Sequence, residues 1–586
     1  MNYSYDALAA SVRIKDITSC SENRALLHRL KNNDPALTGL YIEEMYEGEE
    51  GVDDVNFYVG DEDDFGWLGY FIGENDTLER VSVCHLPACS DQVENFFIGM
   101  QRNKSITSMR MEYNIGHEVA RHFAEGLHRC RSLETYYGPV TTEIIKSLTT
   151  LPMLERVYVW RNEDMAISRE ECVALRGLLT DATEIKQLYM SQVGLGNTGM
   201  KILAEGITCN SFLTDGVLDL SENGIGDQGV QALALSLATN TNLRELRLSD
   251  NIFGDVGLEA LADSLARNRA LRVLTIAGNT TITASGLRSV SRFLRSSGLE
   301  DLCLDGINIS DEGLNTLADA LSINQSLVSL SLQCERDGGS IGDDGLRALA
   351  LGLSHNSYLK SLDLSGHTAI TASGLRSLEE YLQSPSCALE EFNLDLIDIG
   401  DKGAQALADA LVGNKSLNNL HFDVRSITSR GWRSFLKLVC DSSSPNSLYL
   451  SNQTLCELGS YWNPSGSDVK NQISSCLKIN NDCRKSPRFA AKSKILHLFP
   501  DLDMIPLFQW NLKLLPLLKC WFRVSSANKA FTARIRNIEL SCIYKFVRGL
   551  PVLIVDDLRR NLARQVERIR AKIGKLEEEE RRLMQG

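Results

Sequence analysis

The sequence predicts an α/β solenoid, in which parallel strands and helices alternate and stack one repeat upon the next. The first observation is a glycine that recurs every 27 to 32 residues through the middle of the chain. It stands at Gly229, Gly257, Gly286, Gly313, Gly345, Gly374, Gly403 and Gly431. The second is a leucine pattern, L-x-x-L-x-L, then a turn, then L-x-x-x-L, which keeps step with the glycine. Such a period indicates one supersecondary unit per repeat.

Each repeat is predicted to contain a strand, a turn and a helix. Leu246 and Leu248 alternate with polar residues, which is typical of a strand with one buried face. Leu258 and Leu261 follow at helical spacing and predict an amphipathic helix. Asp255 lies where a short polar side chain satisfies the free N–H groups at a helix start, and four other repeats have Asp at the same place.

The stretch from Leu243 to Gly257 matches L-x-x-L-x-L-x-x-N-x-I-x-D-x-G closely, with Phe253 at the isoleucine position. It resembles the ribonuclease-inhibitor-like class of leucine-rich-repeat proteins, a class shared with Ran GTPase-activating proteins and nucleotide-binding leucine-rich-repeat receptors. The resemblance is clear over 213–439 and weaker before. It implies a horseshoe with parallel strands inside and helices outside. Because repetition begins near Leu37, no nucleotide-binding domain is expected.

An asparagine in the turn is a further mark of this class, and only part of the chain keeps it. Those later turns lack the side chain that bonds the loop backbone, so we expect them to be less regular. The asparagine is present at Asn114, Asn162, Asn223, Asn251 and Asn279, and is replaced by Ile307, Glu335, His367, Ile397 and Arg425.

We divide the chain into an N-terminal cap (1–36), a solenoid (37–458), an irregular polar linker (459–494), a small helical unit (495–554) and a coiled coil (555–586). The last segment has apolar residues at alternating spacings of three and four, typical of a heptad seam. They are Leu562, Val566, Ile569, Ile573, Leu576 and Leu583. Two interpretations stay open, a coiled coil that joins chains into a homo-oligomer and a helix that folds back on its own domain.

Charge divides the chain in two. The formal net charge is −15, but residues 484–586 hold 22 basic and 10 acidic residues, which leaves 39 basic and 66 acidic residues in 1–483. The acidic body argues against a nucleic-acid partner. We expect a cytoplasmic protein with reduced thiols and no membrane span. The basic cluster of Arg484, Lys485, Arg488, Lys492 and Lys494 leaves nuclear import open, against an ordinary surface linker.

No catalytic constellation, metal-ligand spacing or cofactor motif is found in the sequence, so we expect neither an enzyme nor a cofactor or metal site. Function is then expected on the concave surface, where residues between the inward leucines point outward. In the N-terminal repeats these positions hold aromatic and basic residues typical of interface hot spots. They are Tyr41, Arg110, Tyr137, Tyr158, Trp160 and Tyr189. The alternative is a slipped register that places some of these aromatics in the core.

Farther along the chain the outward positions become acidic. If these acids stack on neighbouring strands, they form a negative strip that attracts a basic partner; alternatively they only keep the open face soluble. The acids are Asp219, Glu245, Asp301, Asp305, Asp363, Glu391, Asp395 and Asp423.

The sequence therefore predicts a non-catalytic scaffold or adaptor that binds a protein partner on its concave face. The resemblance leaves one enzymatic alternative, a GTPase-activating or regulatory protein for a Ran-like small GTPase, a class that uses an arginine beside the strands. Arg161, directly after the strand sequence YVW, is the candidate for that role.

Overall fold

The computed structural model describes residues 5–9, 11–44, 55–60, 64–87, 90–113, 117–161, 166–182, 184–209, 216–334, 341–459, 467–482 and 487–498 of the 586-residue chain. The predicted coiled coil and its six heptad residues lie outside these ranges, as do Asn114, Asn162, Glu335 and all but the first four residues of 495–554. The chain divides into two units: 1–399 with 420–426, and 400–419 with 427–586.

The first unit is built on short parallel strands. From one edge the order is β2, β1, β3 and then chain order, and every recorded pairing from β1 to β14 is parallel. The strands are β1 (Gly39–Glu44), β2 (Asn56–Val59), β3 (Arg80–Val83), β4 (Ser108–Met111), β5 (Thr135–Pro139), β6 (Arg156–Trp160), β7 (Gln187–Tyr189), β8 (Gly216–Asp219), β9 (Leu243–Arg247), β10 (Val273–Thr275), β11 (Asp301–Cys303), β12 (Ser329–Ser331), β13 (Ser361–Asp363), β14 (Glu391–Leu394) and β15 (Asn419–Phe422).

Helices alternate with these strands, as the repeat pattern predicts. The helices of the first unit are α1 (Tyr5–Leu8), α2 (Ser21–Lys31), α3 (Phe65–Glu74), α4 (Ser90–Met100), α5 (His117–Leu127), α6 (Thr142–Leu148), α7 (Arg169–Asp181), α8 (Gly196–Cys209), α9 (Asp227–Leu237), α10 (Asp255–Leu265), α11 (Ala284–Leu294), α12 (Asp311–Leu321), α13 (Asp343–Leu353), α14 (Ala372–Arg376) and α15 (Glu379–Gln383), with a 3₁₀ turn at Ile14–Asp16. Strand, turn and helix repeat in register, which confirms the predicted solenoid.

The core lies between the strands and the helices. Leu246, Leu274, Leu302 and Leu330 stand side by side on β9 to β12, and each is buried. From the helix side, Leu258 and its equivalents pack against them and are buried too. Each repeat thus extends one continuous apolar layer, whose removal from water is the main stabilising contribution.

The recurring aspartate and glycine work together across repeats. Asp227, the first residue of α9, accepts hydrogen bonds at 2.8 Å from the backbone N–H groups of Gly254 and Gly257, at the start of α10. A Cβ on Gly257 would lie 2.8 Å from the Asp227 Oδ1. In a later repeat, a Cβ on Gly374 would lie 2.4 Å from the Asp343 Oδ1. The aspartate therefore caps the next helix rather than its own, and the glycine makes room for that carboxylate.

The turn asparagines bond the backbone of neighbouring turns. Asn223, Asn251 and Asn279 are buried, and each amide donates to backbone carbonyl groups. Three repeats after Asn279, His367 occupies the asparagine position and has this role, because its Nε2 lies 2.7 Å from the carbonyl oxygen of Leu332. The expectation that the turn at His367 lacks a bonding side chain is therefore wrong, since an imidazole nitrogen reaches the carbonyl that an amide would.

A second series of asparagines follows the helices, a pattern that the leucine and glycine spacing does not reveal. Asn268 accepts from the N–H groups of Ala270 at 2.8 Å and Leu271 at 2.9 Å, and donates to the carbonyl oxygens of Leu237 and Asn240, both at 2.8 Å. It thereby ties the end of one helix to the next strand. Asn103 and Asn356 make the same bonds. Asn324 makes three of them, and its amide donates a fourth bond to the Ser326 hydroxyl at 3.3 Å.

The second unit is mainly helical in its described part. It holds α16 (Gly400–Ala410), α17 (Ser429–Val439), α18 (Pro445–Leu450), the short strand β16 (Glu457–Leu458), α19 (Asp468–Asp482) and α20 (Pro487–Leu498). The predicted irregular linker at 459–494 thus contains one whole helix and most of another. Ile473, Cys476, Leu477 and Asn480 are buried at helical spacing, a pattern that the surrounding serines and asparagines concealed.

Lys494 corrects the interpretation of the basic cluster. Its side chain is buried, and its Nζ donates to the carbonyl oxygens of Val439 at 2.8 Å and Asn452 at 3.1 Å. A lysine bonded in this way does not present its charge to an import receptor. Arg484 and Lys485 lie outside the described residues.

Candidate protein-binding surface

The strands carry a face that the helices of the described residues do not cover. Most side chains between the buried leucines are partly or fully exposed, with buried exceptions such as Ser82 and Val217. We call this side of the sheet the open face. The strand register aligns the central outward residues of β1 and β3 to β14 into one line, the middle row. From β1 onward it reads Tyr41, Ser82, Arg110, Tyr137, Tyr158, Tyr189, Asp219, Arg247, Thr275, Cys303, Ser331, Asp363 and Asn393.

Three consecutive members of the middle row form a stack of aromatic rings, the tyrosine row Tyr137, Tyr158 and Tyr189. The first two ring centroids are 6.2 Å apart, with the rings tilted by 39°. Tyr158 and Tyr189 are 4.3 Å apart and nearly parallel, at 4°. Such pairs contribute about 0.5–1.5 kcal/mol beyond area burial, so the rings hold one another in place. All three rings are half-buried rather than in the core, so the slipped-register alternative does not describe them.

An arginine closes each end of the tyrosine row. The guanidinium of Arg110 lies 4.6 Å from the ring centroid of Tyr137, and that of Arg247 lies 5.8 Å from the ring of Tyr189. Burial raises the pKa of the Tyr189 hydroxyl, and the neighbouring Tyr158 adds to the rise. Arg247 was missed in the sequence because only the register places it beside the tyrosines. The sequence does indicate that Arg247 faces outward, since the second Arg of the L-R-E-L-R-L pattern occupies an outward position.

Trp160 and Tyr41 lie on the same face. Trp160 stands beside Pro139 at the ends of β6 and β5, and its indole Nε1 donates to the carbonyl oxygen of Met111 at 3.0 Å. That bond spans from β6 to β4 and fixes the ring while leaving part of it exposed. Tyr41, on β1, is 47% exposed and sits apart from the tyrosine row. All six aromatic and basic candidates therefore lie on the open face, although they form no single cluster.

The acids do not stack into a strip. Asp219 stands in the middle row between Tyr189 and Arg247, and Asp363 stands between Ser331 and Asn393. Glu245, Asp301 and Glu391 occupy a second row, two residues earlier on their strands, and Asp305, Asp395 and Asp423 follow the strands. The expected stacking at strand spacing is wrong, because outward positions recur every two residues along each strand and just after it, and the acids are divided among three of these positions.

Several of these acids already have partners within the chain. Arg247 lies 2.6 Å from a Glu245 carboxylate oxygen and 3.8 Å from one of Asp219. Asp305 accepts a hydrogen bond from the Ser331 hydroxyl at 2.6 Å, and Arg425 pairs with Asp423 at 2.5 Å. In the same region Asp363 accepts from the Asn393 amide at 2.8 Å. The arginines partly neutralise the charge of the acids that they pair with. The hydrogen bonds from Ser331 and Asn393 leave the charge in place but occupy an acceptor oxygen of Asp305 and Asp363.

Asp301 lies close enough to two other acids to be affected by their charge. Burial raises the pKa of its carboxyl, and Glu245 and Asp305 add to the rise, against a hydrogen bond from Ser329. Its neighbour Cys303 donates to Asp305 at 3.1 Å, and burial raises the pKa of that thiol to about 12. A thiol with so high a pKa stays protonated at neutral pH and is a poor nucleophile.

Arg161, the candidate for GTPase activation, forms an ion pair within the chain. Its Nη1 lies 2.6 Å from the Glu171 Oε2, and the two side chains are only 16% and 11% exposed. Glu171 also accepts from the N–H of Ser168 at 2.8 Å, in a capping box at the start of α7. An arginine that stabilises a transferred phosphoryl group must reach into the partner's site, so this geometry gives the alternative no support.

Within the described residues, no group of three or more His, Cys, Asp or Glu is placed to hold a metal ion. Over the same part of the chain, every helix is too short or too polar to cross a bilayer.

Comparison with known proteins agrees with this architecture. The family described as Leucine Rich repeat matches residues 217–234, 239–262 and 355–378. Together with the repeating strand, turn and helix, the match makes this chain a leucine-rich-repeat protein.

Two curated relatives narrow the class. Mus musculus NACHT, LRR and PYD domains-containing protein 14 is 30% identical over 46% of this chain, and Sus scrofa ribonuclease inhibitor is 29% identical over 43%. These matches span about a quarter and just over half of the relatives' own lengths, at 26% and 55%. The repeats are of the ribonuclease-inhibitor-like class. The solved crystal structure of the yeast Rad7 and Elc1 complex has a TM-score of 0.35 and 16% identity, covering 60% of this chain and 78% of that one.

Proposed function

We propose that the chain is a non-catalytic protein-interaction scaffold that grips its partner on the open face of the first unit. The observation that carries this proposal is the tyrosine row with Arg110 and Arg247 at its ends. Tyrosine, tryptophan and arginine are the residues in which binding energy concentrates at protein interfaces. Here they lie on one face of the sheet, which the described helices leave open.

Preorganisation favours binding over a merely solvated surface. Stacked rings and the Trp160 hydrogen bond hold these side chains in one arrangement before a partner arrives. Ordering a flexible side chain at an interface costs about 0.5–1.5 kcal/mol, and side chains already ordered avoid most of that cost. The acids on β8 to β14 are proposed as a second and weaker contact region for basic groups of the partner, because they already have partners within the chain.

The test is partner capture by the full chain and by a Tyr158→Ala/Trp160→Ala variant, with Tyr358→Ala as the matched control. Tyr358 is 43% exposed and lies in the loop after α13, away from the open face. We expect the double variant to lose its main partner while its unfolding temperature stays close to that of the unaltered chain. Tyr358→Ala should retain the partner. Capture of the partner by the double variant would contradict the proposal. A large drop in the unfolding temperature of the double variant would instead indicate that Tyr158 and Trp160 are core residues.

On the heptad spacing alone, we propose that residues 555–586 join chains and so raise the avidity of the scaffold. Light scattering on the chain with and without 555–586 tests this. We expect a dimeric or larger mass for the whole chain and a monomeric mass for the shortened one. Monomeric masses for both chains would contradict the proposal that residues 555–586 join chains, and would favour a helix folded back on its own domain. A cytoplasmic location also remains a proposal.

A further inference from the structure

The sign of charge changes along the two central rows of the open face. The second row, two residues before the middle row, holds Arg80 on β3 and Arg156 on β6. Together with Arg110, these rows hold three arginines and no carboxylate from β3 to β7. From β8 to β14 the same rows hold one arginine and five carboxylates, namely Arg247 against Asp219, Glu245, Asp301, Asp363 and Glu391.

The arginines at β3 to β7 are placed to meet a ligand. Arg80 and Arg156 are exposed. The recorded side-chain contact of Arg80 is to the Thr38 hydroxyl at 3.3 Å, and within the described residues no ion pair is recorded for Arg156. Arg110 pairs with Glu112 and lies over Tyr137, so its charge is partly neutralised.

The tyrosines between these arginines also favour an electron-rich ligand. Their ring faces are occupied by one another and by Arg110 and Arg247. What remains for a partner is ring edges, which carry partial positive charge, and phenolic O–H donors. Guanidinium groups, ring edges and hydroxyls all interact favourably with carboxylates.

Acidic residues border this region and restrict the ligand's width. Glu79, Glu134 and Glu155 precede β3, β5 and β6, and Glu112 follows β4. Glu155 is paired with Lys186 at 2.5 Å. The region rich in donors is therefore two residues wide, while its five strands span about 19 Å at the usual strand spacing. That length fits about six residues of extended chain.

Building on the proposed function, we propose that the two central rows of β3 to β7 bind an extended acidic segment of the protein partner. The segment crosses the strands over the tyrosine row, with its carboxylates on Arg80, Arg110 and Arg156. A single-stranded nucleic acid is the other polyanion of suitable width. It is disfavoured because its bases need open aromatic faces to stack on, and the ring faces of the tyrosine row are already taken.

Fluorescence anisotropy with the full chain tests the proposal. The probes are a labelled peptide of alternating Glu and Ser, its counterpart of alternating Lys and Ser, and labelled oligothymidine. The variant is Arg80→Gln/Arg156→Gln. Its matched control is Arg288→Gln/Arg347→Gln, which removes two exposed arginines from α11 and α13.

We expect the Glu peptide to bind the unaltered chain and to lose roughly tenfold or more in affinity with the variant, since two charge pairs are removed. The control variant should bind it normally, and the Lys peptide should bind both variants as it binds the unaltered chain. A Glu peptide that does not bind, or that binds the variant unchanged, overturns the proposal. So does oligothymidine that binds more tightly than the Glu peptide and is lost in the variant.

Partner capture separates this proposal from the one on which it rests. If Tyr158→Ala/Trp160→Ala loses the partner and Arg80→Gln/Arg156→Gln keeps it, the open face binds protein but the acidic segment is wrong. If both variants keep the partner, the proposed function fails as well.

Discussion

Replacing Gly69 with alanine is expected to destabilise the first unit strongly, although the change adds a single methyl group. Gly69 lies in the middle of α3, and a Cβ there would stand 2.1 Å from the backbone oxygen of Phe96 and 2.6 Å from its Cα, on α4. Backbone atoms cannot turn aside as a side chain does, so the two helices must separate. Overpacking of this kind costs about 1–3 kcal/mol and sometimes more. Urea unfolding followed by circular dichroism measures the loss.

Gly177→Ala is the matched control for this prediction. Gly177 is also inside a helix, α7, but a Cβ there would meet only the Asp181 carboxylate, at 4.0 Å. Alanine should therefore stabilise the chain by about 0.5–1 kcal/mol, because it has the higher helix propensity. The two substitutions are expected to have opposite signs. Equal effects would show that α3 and α4 do not approach as closely as described.

The second large effect is expected for Asn251→Ala. The Asn251 Oδ1 accepts from the N–H groups of Asn223 at 3.2 Å and Ile225 at 2.9 Å, and its Nδ2 donates to the carbonyl oxygens of Leu220 and Leu248, both at 3.0 Å. All of these groups are buried. Alanine removes the side-chain partner of the two N–H groups and of the Leu220 oxygen, whereas the Leu248 oxygen keeps its bond from the Asn279 amide at 2.9 Å. Each unsatisfied buried group costs about 1–3 kcal/mol, and we expect a loss of about 3 kcal/mol once the site relaxes.

Asn315→Ala serves as the control for Asn251→Ala, because Asn315 is exposed on α12. Its replacement should change the free energy of unfolding by less than about 0.5 kcal/mol, as is usual for surface sites. Loss of stability in Asn251→Ala that is no larger than in Asn315→Ala would contradict the role given to the turn asparagines.

The sequence predicted the repeat well because leucine spacing alone defines strand, turn and helix. Alternation also decided which of two adjacent tyrosines faces outward: Tyr136 is fully buried, whereas Tyr137 joins the tyrosine row. The features of the repeats that the sequence did not predict depend on the offset between neighbouring repeats. The Asp227 cap on the next helix, the place of Arg247 beside Tyr189 and the scatter of the acids all follow from register, which residue spacing within one repeat does not define.

The linker was misjudged for a different reason. Lys494 reads as a surface charge in a basic cluster, because burial of an ammonium group is rarely favourable. Here two backbone carbonyl oxygens accept from it. Such compensation depends on the ends of α17 and α18, which lie more than forty residues earlier in the chain, so local sequence cannot reveal it.

Hydroxyl-radical footprinting, read by mass spectrometry, tests most directly whether the open face is the binding surface. Oxidation rates of Tyr137, Tyr158, Tyr189 and Tyr358 would be measured in the free chain and with its captured partner. The account predicts slower oxidation of all three tyrosines in the tyrosine row on binding, with Tyr358 unchanged. Unchanged rates for the tyrosine row in a chain that is saturated with partner would contradict it.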